Sequence, residues 1–139
     1  MKLKTRNQSI RIFIIFVLLA TVKIAVANEY PLNTDIEPMI KNREHNYKEA
    51  DYVNAYCKGQ IEYVLDDLTR IDCLTEDYAI EFDWAKKWAE SVGQSMYYAE
   101  MTNKLPAVAI IMKSPRDERF IKRINIANED IVIFRIKAY

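Results

Sequence analysis

The chain has 139 residues, with 20 basic and 20 acidic side chains, two Gly and four Pro, a length that holds one domain. A 50% apolar share with nine Tyr, five Phe and two Trp supplies a core and excludes a disordered or collagen-like chain. Two Cys are too few for a disulfide-built scaffold, and one His excludes a multi-histidine zinc site.

The balanced charge hides an uneven distribution. Residues 1–27 carry five basic groups and no acid, which leaves 15 basic and 20 acidic groups, a net of −5, on the remaining 112 residues. Residues 28–100 hold 7 basic against 16 acidic groups, and residues 101–139 hold 8 against 4. Carboxylates therefore concentrate mid-chain and cations in the C-terminal third. The net negative charge argues against strong non-specific binding to nucleic acid.

In chain order, Met1 to Arg11 is a basic leader, and Ile12 to Val22 is an apolar run broken only by Thr21. Ala25-Val26-Ala27 then supplies small residues at signal-peptidase spacing. This pattern predicts a signal peptide over 1–27, with a mature protein exported to a periplasm or secreted and free of the membrane. An uncleaved anchor is the alternative reading, since the apolar stretch nearly spans a bilayer, although Lys23 interrupts it. Export puts Cys57 and Cys73 where a disulfide persists, but spacing leaves their pairing open.

Residues 28–46 carry two prolines, many charges and no period, and they predict an extended lead-in. The single histidine, His45, falls there and reads as solvated. A single domain follows over 47–139. A short amphipathic helix is predicted from Tyr47 to Cys57 and is stopped by Gly59. Three strands come next, Gln60 to Leu65, Arg70 to Thr75 and Tyr78 to Trp84. Ala85 to Met101 is the strongest helix pattern, with Trp88, Val92, Met96 and Ala99 forming one apolar stripe. Ala107 to Met112 is a continuous apolar run, which predicts a buried strand parallel to its neighbours across a helical crossover. A helix from Ser114-Pro115 to about Asn125 turns Phe120, Ile121 and Ile124 inward, and Ile131 to Ile136 is the last strand. The order is α-β-β-β-α-β-α-β.

The two-residue connection Glu76-Asp77 sets the register of the second and third strands, although its residues do not strongly favour a type I′ turn and the register could slip by one. In that register Cys73 faces Ile80, Asp72 faces Glu81 and Arg70 faces Asp83. Alternation puts Ile71, Cys73, Ile80, Phe82 and Trp84 on the core face, and Arg70, Asp72, Glu81 and Asp83 on the other. Like charges directly opposed across a ladder destabilise it. A hard divalent cation such as Mg²⁺ or Mn²⁺ would relieve the conflict between Asp72 and Glu81. The alternative is that both carboxylates face solvent, with Arg70 neutralising one. On the next helix Lys87, Ser91, Gln94 and Tyr98 share a narrow stripe, a set of groups suited to a phosphate backbone beside the carboxylate pair.

Together these residues resemble the PD-(D/E)XK, or restriction-endonuclease-like, nuclease superfamily, most closely its RecB-like branch. The resemblance rests on Asp72 in Arg70-Ile-Asp-Cys-Leu-Thr75, Glu81 in Glu81-Phe-Asp83, and Gln94-Ser-Met-Tyr-Tyr98 on the following helix. It covers about residues 47–136. It implies an α/β domain with an α-β-β-β-α-β core, a central mixed sheet flanked by helices, and an extra C-terminal helix and strand. It also implies a nuclease using Mg²⁺ or Mn²⁺ on DNA or RNA. Asp72 and Glu81 would hold the metal, an acid on the first helix (here Glu49) would assist, and Gln94 and Tyr98 would contact substrate. The chain departs from the family where the pattern has its catalytic lysine, because Asp83 stands there. Lys87 could carry a displaced ammonium to the site, with Lys86 about 100° away and less favoured. Asp83 could instead be a third ligand, or could pair with Arg70 in a fold that has lost activity, which would leave a non-catalytic exported interaction protein. Glu62 is a weaker site candidate on the first strand. Arg116, Arg119, Lys122 and Arg123 could touch phosphate but read more simply as a wet helix face. Of Tyr97 and Tyr98, either could stack on a base, though one is better placed for packing.

Overall fold

The computed structural model describes Leu32 and residues 47–138. The predicted signal peptide, most of the predicted lead-in and His45 lie outside those residues. Within them the chain forms an α/β domain of three α-helices and one five-stranded mixed sheet. Helix α1 (Glu49–Tyr56) is followed by strands β1 (Gln60–Val64), β2 (Arg70–Leu74) and β3 (Tyr78–Trp84). A 3-10 turn (Ala85–Lys87) leads into α2 (Trp88–Thr102), which feeds β4 (Leu105–Met112). A second 3-10 turn (Pro115–Asp117), α3 (Glu118–Ala127) and β5 (Val132–Lys137) complete the domain. The observed order matches the sequence expectation, with boundaries unmoved or shifted by at most four residues. No described helix is long and apolar enough to cross a membrane.

The strands lie in sequential order from β1 to β5. The β1/β2 and β2/β3 pairs are antiparallel, and the β3/β4 and β4/β5 pairs are parallel. The parallel half follows from its connections, because α2 and α3 each carry the chain back along the sheet. Its strands are apolar because both faces are covered. One core gathers Tyr52 and Val53 of α1 with Phe82, Ala109, Ile111 and Phe134. The other gathers Phe120, Ile121 and Ile124 of α3 with Val108, Ile110 and Met112.

The hairpin register is as expected, with Cys73 opposite Ile80 and Leu74 opposite Ala79. Thr75 N–H donates to the Tyr78 carbonyl (2.9 Å) and closes the turn. The face assignment differs at one residue. Ile71 packs with Leu65, Ala79 and Tyr98 instead of with Cys73. The β1/β2 ladder skips the position between Ile61–Cys73 and Tyr63–Ile71, and there Glu62 has a left-handed φ of 54°. The kink breaks strict alternation beside Asp72.

Two features tie α1 to the hairpin. Gly59 runs so close to β2 that a Cβ there would lie 2.1 Å from the Leu74 carbonyl oxygen, so only glycine fits. Cys57, at the end of α1, is disulfide-bonded to Cys73 of β2, with Cα atoms 5.8 Å apart. Leu32 of the lead-in bridges to Cys57 and is buried in the core. The disulfide closes a 16-residue separation. Reducing it is expected to lower the unfolding free energy by about 3 kcal/mol, read as a shifted urea midpoint with and without dithiothreitol. An unchanged midpoint would mean the bond contributes nothing.

Candidate functional site

The β2/β3 ladder stops where the acids begin. Beyond Cys73–Ile80 no further backbone pair is recorded between the two strands, while on its other side β3 stays paired with β4 through Trp84. Carboxylates take over the hydrogen bonding in the gap. Asp72 Oδ2 accepts from the Phe82 N–H (2.8 Å), and Glu81 Oε1 accepts from the Asp72 N–H at 3.4 Å. The two side chains predicted to oppose each other are thus together, within a parting of the strands.

Solvent does not relieve their repulsion. Glu81 and Asp83 are each only 4% exposed, because β3 is an inner strand covered on both faces. This corrects the alternative in which the carboxylates simply faced water. It also corrects the proposed partner of Asp83. Arg70 pairs outward with Glu62 (3.0 Å), while Asp83 Oδ1 lies 3.4 Å from Lys87 Nζ and accepts from the Trp84 N–H at 2.8 Å. Glu49, the first residue of α1, is hydrogen-bonded with Asp83. Glu62 remains exposed, pairs with Arg70 and acts on Asp72 only through its charge.

Four carboxylates and one ammonium therefore interact. Burial, then the Asp72 charge, pushes the Glu81 carboxyl up to about 9. Burial, then the hydrogen bond and charge of Asp83, pushes Glu49 up to about 8, with Lys87 opposing. Asp72 is raised by burial to about 6, against the pull of the Phe82 N–H. Asp83 is also raised by burial, while the Glu49 hydrogen bond and the Lys87 charge hold it down.

Helix α2 presents a different face from the one its large residues suggested. Its buried positions are Ser91, Ser95, Tyr98 and Ala99, while Met96 is 45% exposed. The serine hydroxyls donate back to the Trp88 and Val92 carbonyls (3.0 Å each), which satisfies them inside the core. Small residues let the helix lie close on the sheet, so the inward face is roughly a quarter turn from the Trp88–Val92–Met96 line. This brings Tyr98 toward the acids. Its phenol is raised by burial and by the Glu81 charge, with contacts to Gln94 and Thr69 opposing. Thr69 had no signal in the sequence beyond its place in a turn. Tyr97 instead donates its hydroxyl to Asp67 and pins the β1–β2 turn to α2.

The donor set suits a hard cation. Asp72, Glu81, Glu49 and Asp83 offer oxygen only; Glu81 and Asp83 are buried, Asp72 and Glu49 half-buried, and the ammonium of Lys87 pairs with Asp83. Without a cation the strain is met by protons, which is what the raised carboxyls express. Among the described residues, no three His, Cys, Asp or Glu side chains are gathered as ready-made ligands. A cation there would compete with protons on Glu81 and Glu49, whose carboxyls are raised. No protein-family model, curated protein or solved structure matches the chain.

Proposed function

We propose that the protein is an exported, metal-dependent nuclease with a restriction-endonuclease-like core, hydrolysing phosphodiester bonds in DNA or RNA. The observation that carries this reading is the gathering of Asp72, Glu81, Asp83, Glu49 and Lys87 at the parting of β2 and β3. The α-β-β-β-α-β order with β4 parallel to β3 supports the fold assignment. The Cys57–Cys73 disulfide supports export, since such bonds persist in oxidising compartments.

Asp72, Glu81 and Glu49 would hold Mg²⁺ or Mn²⁺. Bound there, the ion supplies Lewis-acid stabilisation of charge on a phosphodiester. The chain's own groups do the rest. Lys87, steered by Asp83, offers an ammonium where the family places a lysine on the strand, and that charge favours the anionic transition state. Gln94 and Tyr98, approaching from α2, orient the substrate backbone. Asp83 keeps Lys87 in reach and is a positioning residue.

The test is incubation of the protein with single- and double-stranded DNA and RNA in Mn²⁺ or Mg²⁺, beside Glu81→Gln. Cleavage by wild type alone is the expected result. Cleavage by neither, with both folded, would favour the non-catalytic interaction protein. Equal cleavage by both would remove Glu81 from the chemistry.

A further inference from the structure

A cavity of about 560 Å³ opens where the parallel strands β3 and β4 end, in the usual size range of small-molecule sites. In open α/β sheets this end is where ligands settle. Lys86, Lys87, Lys113, Arg116 and Arg119 line it, and Asp117 is the lone acid of the lining. Asp117 is spent on local structure, because its Oδ2 accepts from the Lys113 and Ser114 N–H groups (2.8 and 3.2 Å). Among the described residues, Lys113, Arg116 and Arg119 form no ion pair. Lys113 Nζ lies 4.2 Å from the centroid of Trp84, and Tyr52 packs edge-on against the same indole at 5.5 Å. The result is a cationic groove with a fixed aromatic wall, in a protein whose remaining charge is largely negative. Lys87 belongs to both this groove and the acid cluster.

We propose that this groove binds single-stranded nucleic acid, with backbone phosphates on Lys113, Arg116 and Arg119 and an unpaired base against the Trp84 wall. This deepens the nuclease reading and rests on it for the chemistry at the adjoining acids. Duplex is the weaker fit, because a concave cavity with an aromatic wall rewards only bases free of their stack. Without the wall, five cations on a surface would grip any polyanion equally.

Fluorescence anisotropy of a short labelled single-stranded oligonucleotide and of its duplex, both in EDTA, reads binding without cleavage. The single strand is expected to bind more tightly than the duplex. Arg116→Glu/Arg119→Glu is expected to lower that affinity about tenfold or more, with a shallower dependence on salt. Lys113→Ala gives a smaller loss of the same kind, and Glu81→Gln retains binding. Circular dichroism confirms that each variant is folded. No binding by wild type, preference for the duplex, or undiminished binding by the double variant would overturn the proposal. Binding without any cleavage in Mn²⁺ would leave the groove standing while the nuclease reading fails. Cleavage with unaltered binding in the double variant would do the reverse.

Discussion

Glu81→Gln is expected to yield a protein that is more stable than wild type at pH 8 without metal, and inactive with it. Glu81 is buried on an inner strand beside Asp72, and its carboxyl is raised to about 9. Because the folded pKa lies above the unfolded one, the native state binds the extra proton. Stability from this group is therefore complete below about pH 4.5 and is lost as pH rises toward about 9. Each pH unit in that window costs about 1.4 kcal/mol for one fully titrating group. Glutamine is neutral at every pH and keeps an oxygen for the Asp72 N–H, so it mimics the protonated form. Thermal melts in EDTA should show wild-type Tm falling from pH 5 to pH 9, with a flatter profile in the variant. Identical profiles would show that Glu81 titrates normally. Substitutions that stabilise a fold while abolishing its chemistry are a mark of strained functional sites.

Lys87→Met is expected to lower the cleavage rate by about 10²–10³-fold, the usual loss when one group facing transition-state charge is removed. Metal affinity should fall little, because Lys87 is not a ligand. Lys87 is the ammonium that reaches Asp83, at 3.4 Å, and it ends the 3-10 turn after β3 as the N-cap of α2. Lys87→Arg keeps a cation and should recover part of the rate. Lys86→Met removes a cation of the groove lining that is not paired with Asp83, and should weaken substrate binding while changing the saturated rate far less. Steady-state cleavage at saturating Mn²⁺ separates these outcomes. Equal rates in Lys87→Met and wild type would show that no displaced lysine operates here.

The order of elements along the chain and the hairpin register were legible in the sequence because they depend on local signals. A two-residue connection sets a register directly, and Cys73–Ile80 is the pair it names. The parallel β4 follows from an apolar run after a helix long enough to cross over. Burial of the acids was less legible. Alternation assigned Glu81 and Asp83 to an open face, but α2 covers it, and only the tertiary arrangement reveals a strand buried on both sides. The inner face of α2 was hidden for a related reason. Trp88, Val92 and Met96 dominate any reading by hydrophobicity, whereas Ser91 and Ser95 are inside because they are small and satisfy their own hydroxyls. The partner of Arg70 could not be read either, since it depends on the left-handed residue Glu62 that kinks β1. Glu49 was reached only through family resemblance, and its hydrogen bond to Asp83 now ties α1 to the acids. Trp84 and Lys113 had no motif to mark them, because the groove exists only where two parallel strands end side by side.

Whether an inorganic cation replaces the protons shared by these carboxyls is measured most directly by calorimetric titration of the metal-free protein with Mn²⁺, in buffers of differing ionisation enthalpy. Binding is expected to strengthen between pH 6 and about 9 and to release about one to two protons per ion at neutral pH, from Glu81 and Glu49. Loss of that binding is expected in Asp72→Asn and Glu81→Gln. Mn²⁺ uptake that is undiminished in both variants, or heats of dilution alone in wild type, would contradict that replacement of protons by a cation.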